Sequence, residues 1–238
     1  MCVGRDNSVK KLIIIPAFNE ARNLTSLVAE IREKAPGYDY IIVNDGSHDD
    51  TSAICKAEGL NHLDLSLNLG IGGAVQAGYV YAGYHDYDIA IQIDGDGQHD
   101  PLYLDMLIAP LVSGEADFSI GSRYIQKTGF QSTAIRRLGI AWLNGIIRIL
   151  TRIKITDCTS GFRAVNTKVI RLFSGYYPYD YPEPETIIDA YRHGLRIVEV
   201  PVVMRCREHG TSSIRMMKSV YYMIKVSLAM VISFFKRR

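Results

Sequence analysis

Ile89-Ala90-Ile91-Gln92-Ile93-Asp94-Gly95-Asp96-Gly97-Gln98 decides the fold: a short β-branched apolar run delivers two acids onto a turn loosened by glycine. Such a run reads as a strand buried within a sheet. Its acids then stand at the carboxyl end of the strand, the edge at which open α/β sheets bind ligands. Two carboxylates one residue apart suit a divalent metal on a diphosphate, because Mg²⁺ takes one or two carboxylates and completes its shell with phosphate and water. Asp86-Tyr87-Asp88 is an internal control. It has the same spacing but precedes the strand, and it reads as a solvated turn.

Outward from this strand, the chain alternates between two periodicities. Lys11 to Pro16, Tyr40 to Val43, Leu63 to Leu67 and Phe118 to Ile120 read as further strands. Between them, helices are expected over Glu20 to Lys34, Thr51 to Ala57 and Gly73 to Gly83, with another opening at Asp100-Pro101. Alternation of this kind implies an α/β fold with a mostly parallel sheet and helices on both faces. Later helices are expected over Thr133 to Thr151, Asn166 to Phe173 and Pro184 to His193. Arg196 to Met204 reads as a strand whose Pro201 suits an edge or a bend.

The 238 residues allow one large domain with an appendage, taken as 1–213 and 214–238. Net charge of +2 gives no global argument for nucleic acid as a partner. Cys2, Cys55, Cys158 and Cys206 lack paired spacing, which favours idle thiols in a reducing compartment over disulfides or zinc. The polar stretch Met1 to Lys11 has no signal-peptide core, so the cytoplasmic side is expected.

Other strand ends carry polar groups too. Pro16-Ala17-Phe18-Asn19-Glu20 stands where a dinucleotide site would need its glycine-rich turn, which counts against NAD. Asn44-Asp45-Gly46-Ser47 follows the second strand; alone it is simply a good turn. These elements, with Asn68-Leu69-Gly70, Gly121-Ser122-Arg123, Asp157 to Arg163, Glu199-Val200-Pro201 and Arg207-Glu208-His209-Gly210, come in the order of a known family. The chain resembles the family 2 glycosyltransferases of GT-A fold, a Rossmann-like architecture. The likeness is closest to the branch making polyprenyl-phosphate sugars, dolichol-phosphate mannose synthases and bacterial undecaprenyl-phosphate glycosyltransferases among them.

The resemblance implies a role for individual positions. Pro16, Ala17 and Glu20 would line the nucleotide pocket together with Asn68, Gly70 and Gly95, and Asp45 would hold the base or ribose. Asp94 would sit near the ribose and sugar, and Asp96 with Gln98 would bind Mg²⁺ or Mn²⁺ on the diphosphate. Arg123 and Arg207 would meet phosphates, for which a guanidinium fork is suited. Asp157, Ser160, Arg163, Glu185 and Ser212 would lie on the acceptor side, and His99 and His209 at the rim. Two family lysines are missing, one where Ile71 stands and one where Ser213 follows Ser212; Arg215 or Lys218 would compensate.

The implied reaction is inverting transfer of a hexose, from a UDP-sugar in preference to GDP-mannose, to undecaprenyl phosphate or a similar carrier. Its product would be a lipid-linked sugar for cell-surface glycans. Competing readings are transfer to a polysaccharide hydroxyl, nucleotidyl transfer, and a non-catalytic nucleotide-sugar sensor. The tail bears on this choice. Val226 to Phe235 is an unbroken apolar run of ten residues, short of the roughly 20 needed to span a bilayer. Arg215, Lys218 and Lys225 fall in one sector at about 100° per residue, and Lys236-Arg237-Arg238 closes the chain. An amphipathic helix lying on the cytoplasmic face of a membrane fits this pattern. Packing on the protein's own core, a small membrane-protein partner or a second copy of the chain are the alternatives.

Overall fold

The computed structural model of the chain describes residues 9–126, 128, 129, 131, 133–205 and 216–236, with side chains on the last helix described at 221 and from 223 onward. Its strands are β1 (Lys11–Ala17), β2 (Asp39–Asn44), β3 (His62–Asp64), β4 (Ile89–Gln92), β5 (Phe118–Ser122), β6 (Arg163–Asn166) and β7 (Ile197–Pro201). They form one seven-stranded sheet in the order β3-β2-β1-β4-β6-β5-β7. β1 pairs in parallel with both β2 and β4, so the order reverses at β1 and a crevice opens there. β6 runs antiparallel to both its neighbours, β4 and β5.

The helices are α1 (Leu24–Lys34), α2 (Thr51–Ala57), α3 (Gly70–Tyr84), α4 (Leu104–Val112), α5 (Ala134–Thr151), α6 (Thr167–Gly175), α7 (Pro182–Arg192) and α8 (Met216–Phe235). Strand side chains alternate between two helical layers, as the pleat requires. Leu12, Ile14, Ile41 and Val43 pack with α3, α5, α6 and α7 on one face, and Ile13, Ile15 and Ile42 with α1, α2 and α4 on the other. Local chemistry closes the helices as expected at several ends. Asp100 accepts from Leu102 N–H, Thr133 caps α5, and the Asp49 carboxylate accepts from Thr51 N–H at 3.0 Å.

Several boundaries move. β3 is shorter and earlier than Leu63 to Leu67, and Glu20 lies in a turn ahead of α1. β6 is the element that sequence reading missed: Arg163-Ala164-Val165-Asn166 is too short to show a period, yet its first three residues are buried between β4 and β5. β7 takes the sheet's far edge, where Pro201 costs no ladder bond.

The last helix differs from the expectation in its contacts. Val226 and Met230 of α8 are buried in the same core as α5 and α7. Ser233 donates to Asp189 of α7 (2.6 Å), and Trp142 of α5 donates to Ser227 (3.1 Å). Lys225, placed by sequence on a free cationic stripe, is paired with Asp180 at 2.6 Å. Arg215 lies outside the described residues, as does the Lys218 side chain. No helix among the described residues is long and apolar enough to cross a membrane. The outer side of α8 remains apolar: Tyr221, Ile224, Leu228, Ile232 and Phe235 are exposed. Ile135, Leu138, Trp142 and Ile149 of α5 are exposed as well.

Candidate active site

A cavity of about 470 Å³ opens at the carboxyl ends of β1, β2 and β4. Pro16, Ala17 and Glu20 line it from the first loop, Asp45 from the second, Asn68, Gly70 and Ile71 from the start of α3, and Asp94, Gly95 and Asp96 from the turn after β4. Every residue expected to bind the nucleotide sugar is therefore brought together.

Short polar side chains hold these loops. Asn19 adopts a left-handed backbone (φ 58°), which its side chain stabilises by accepting from His48 N–H at 2.9 Å. Asp45 is buried and accepts from Leu69 N–H at 2.7 Å, while its carbonyl accepts from the Asn68 amide at 3.0 Å. Burial pushes the Asp45 carboxyl up, and the N–H groups of Leu69 and Gly70 pull it back. Gly46 permits this closure: its φ is 65°, and a Cβ there would lie 2.9 Å from Asn68 N.

The turn after β4 is fixed from below. Gln92 donates to Asp94 Oδ1 (3.0 Å), and Asp96 Oδ1 accepts from Gln98 N–H (3.1 Å). His99, expected at the rim, is buried instead. Its Nδ1 accepts from Asp94 N–H at 3.1 Å, and its ring stacks on Phe162 at 4.9 Å. A histidine on a short turn carries no sequence sign of that role. A Cβ on Gly161 would lie 2.7 Å from Asp94 Oδ2, so glycine lets the following loop back this acid.

No group of three or more His, Cys, Asp or Glu side chains arranged to hold a metal occurs among the described residues. Asp94 and Asp96 nevertheless fit Mg²⁺ or Mn²⁺, which need only one or two carboxylates when a diphosphate supplies the remaining oxygens. Asp96 is buried at the cavity wall.

Arg123, expected to meet phosphates, and the residues expected on the acceptor side occupy different places. Arg123 is buried and committed through Nε and Nη2 to Asp157, at 2.7 and 3.1 Å. Asp157 is fully buried, and its backbone N–H donates to Glu199 at 2.8 Å. Ser160 and Arg163 are also buried. The Arg163 guanidinium donates to the carbonyls of Ser160, Cys158 and Glu183 and to the Thr186 hydroxyl. These four side chains brace the wall behind Asp94. Glu185 does not line the cavity: it shares a face of α7 with Asp189, against α8, and its charged neighbours are Asp189, Asp180, Lys225 and Lys236. It is Glu183, two residues earlier, that reaches the cavity. Arg207, His209 and Ser212 lie outside the described residues.

Comparison with known proteins decides the family. The Glycosyl transferase family 2 domain matches residues 12–173, from β1 through α6. This chain belongs to glycosyl transferase family 2. Polyprenol monophosphomannose synthase of Mycolicibacterium smegmatis is 30% identical over 85% of this chain and 80% of its own. Undecaprenyl-phosphate mannosyltransferase of Micrococcus luteus is 30% identical over 86% of this chain and 87% of its own. Among solved structures, glucosyl-3-phosphoglycerate synthase from Mycobacterium tuberculosis, in complex with Mn²⁺, UDP-glucose and phosphoglyceric acid, superposes with a TM-score of 0.72. The match covers 95% of this chain and 80% of that one at 20% identity, which establishes a common fold. The family 2 enzyme described here is thus a glycosyltransferase of α/β architecture.

Proposed function

We propose that this glycosyltransferase moves a hexose from a nucleotide sugar to the phosphate of a polyprenyl carrier, inverting the anomeric centre, while resting on a membrane surface. The observation that supports this most is the cavity at the order reversal of the sheet, where Asp94 and Asp96 meet the nucleotide-side groups Asp45 and Asn68. Asp96, with Asp94 beside it, would hold the divalent metal. Bound there, the metal would neutralise charge on the departing diphosphate. Asp45 and Asn68, fixed by the bond from the Asn68 amide to the Asp45 carbonyl and by the bond from Leu69 N–H to the Asp45 carboxylate, orient the nucleotide. The names of the two relatives point to a lipid phosphate as acceptor. Such a phosphate has its second ionisation near pH 6 and arrives as an oxyanion, so its attack needs no general base. The buried ion pair of Asp157 with Arg123 agrees with this, since it leaves Asp157 a brace and not a proton acceptor.

The apolar outer faces of α5 and α8 support the membrane position. The sugar proposed is a hexose; mannose in the names of the two relatives supports a mannose donor as well as the UDP-hexoses expected from sequence. The test is transfer of label from a panel of UDP- and GDP-hexoses to undecaprenyl phosphate, with and without Mn²⁺ or Mg²⁺. An organic-soluble, metal-dependent product from one donor is expected. Label appearing only on a saccharide hydroxyl acceptor would sink the lipid-phosphate reading.

A further inference from the structure

The acid turn after β4 has little stiffness of its own. Gly95 and Gly97 flank Asp96, and Gly97 takes a left-handed backbone at φ 75°. Gln92 and His99 hold the turn at Asp94. Its far end is held by a residue distant in the chain. Arg205 N–H donates to the Gln98 carbonyl at 3.0 Å, and the Gln98 amide donates in return to the Arg205 carbonyl at 3.2 Å. Alongside them, Met204 forms an antiparallel bridge with His99.

Arg205 stands beyond the end of β7 and is fixed by charge. Its Nη1 and Nη2 donate to the two oxygens of Glu30 on α1, at 3.0 and 2.7 Å. Nη2 also pairs with Asp100, which closes the acid turn and accepts from Leu102 N–H at 3.0 Å. Lys34 completes the group, 2.5 Å from Glu30 and 3.4 Å from Asp100. All four side chains are half-buried. The hydrogen bond from Arg205 holds the Glu30 carboxyl below its ordinary range, so the pair is charged at neutral pH. A single exposed ion pair contributes little, but a two-pronged guanidinium inside a network keeps its geometry.

The consequence reaches the cavity through one peptide. Gln98 N–H donates to Asp96 Oδ1 at 3.1 Å, so the placing of Gln98 orients the lone pairs of Asp96. Partners that orient a metal-holding carboxylate set the affinity of the site. We propose that Arg205 is a positioning residue for the metal: clasped to Glu30 and Asp100, it holds the Gln98 peptide that orients Asp96. This rests on the reading of Asp96 as the metal-holding acid and extends the site to α1 and to the chain after β7.

The experiment follows the EPR signal of free Mn²⁺ in titrations of the full chain, with UDP or GDP present, whichever retains more metal. Arg205→Met keeps the apolar stem and should weaken Mn²⁺ about tenfold, the low end for a lost supporting partner. Arg205→Lys keeps the charge but loses the fork, and should fall between. Glu30→Gln should act in the same direction. The double variant should be no weaker than Arg205→Met alone, because both changes act through one network. The same nucleotide bound without metal, read by calorimetry in EDTA, should stay within about twofold, since Arg205 does not line the cavity.

Unchanged Mn²⁺ affinity in Arg205→Met would overturn the inference, as would losses that add in the double variant. Metal-free nucleotide weakened as much as Mn²⁺ would also overturn it, by making Arg205 a brace for the whole cavity. Should Arg205→Met not fold, Arg205→Lys and Glu30→Gln carry the test, and unchanged Mn²⁺ affinity in both sinks the idea. Failure of the metal reading itself looks different, because then the unaltered chain retains no Mn²⁺ with either nucleotide and both proposals fall. A wrong sugar or acceptor leaves these titrations untouched.

Discussion

From β3 to β4 the sheet is parallel, and its polar side chains project from strand ends into a cavity. From β6 to β7 the sheet reverses direction at β6, and its polar side chains turn inward: Ser122, Asp157, Ser160 and Arg163 are all buried. The same residue types therefore do opposite work in the two halves. At the strand ends they line a cavity. Under the second half they replace lost water with one another, and the wall behind Asp94 gains its rigidity from them.

The contrast can be broken by experiment. The largest effect is expected at Asp96: Asp96→Ala should cut turnover about 10³-fold, as loss of a transition-state charge contact does, with little change in melting temperature. A matching fall in stability would place Asp96 with the braces. Asp157→Ala should do the reverse. It leaves the Arg123 guanidinium buried without its partner, and breaking such a pair costs about 3–5 kcal/mol, readable in a denaturant titration. Full stability with activity lost would return Asp157 to the acceptor side.

Glu185 sharpens the comparison through pH. Burial, then Asp189 and Asp180, push its carboxyl up to about 7 from an ordinary 4.5. The folded protein therefore keeps this proton where the unfolded chain has released it. Stability from this group is fully present below about 4.5 and is lost as pH rises towards about 7, a change of roughly 1–2 kcal/mol after solvent screening. Glu185→Gln should flatten that slope in melts between pH 4.5 and 8. An unchanged slope would place the titration elsewhere. The smallest stability effect belongs to the outer face of α8: Leu228→Glu should leave stability within about 0.5 kcal/mol while releasing the protein from anionic vesicles in a flotation assay. Undiminished flotation would separate α8 from the membrane.

Legibility in the sequence follows the same division. Leu12 to Ile15 and Ile89 to Ile93, the latter broken only by Gln92, announce buried strands because their near-continuous apolar runs reflect burial on both faces. Asp45, Asp94 and Asp96 could be placed because a residue next to a strand's end has only one edge of the sheet to occupy. Arg163 could not. Its sequence context suits a solvated loop, and its burial depends on carbonyls from Cys158, Ser160 and Glu183 that only folding assembles. Glu183 and Glu185 are near-identical in sequence, two residues apart in a Pro-Glu-Pro-Glu run. The helix turns one to the cavity and the other towards α8, because successive positions differ by about 100°.

By itself the sequence determined the family, the alternating α/β order and the set of groups at the strand ends that line the cavity, since each depends on local runs and on residues adjacent to strand ends. Only the tertiary structure decided that Arg123 and Asp157 satisfy each other, that His99 lies beneath the acid turn, that α8 shares the core, and that Glu183 and not Glu185 reaches the cavity. Those outcomes depend on which distant groups are close enough to replace water. Spacing along the chain carries no record of that.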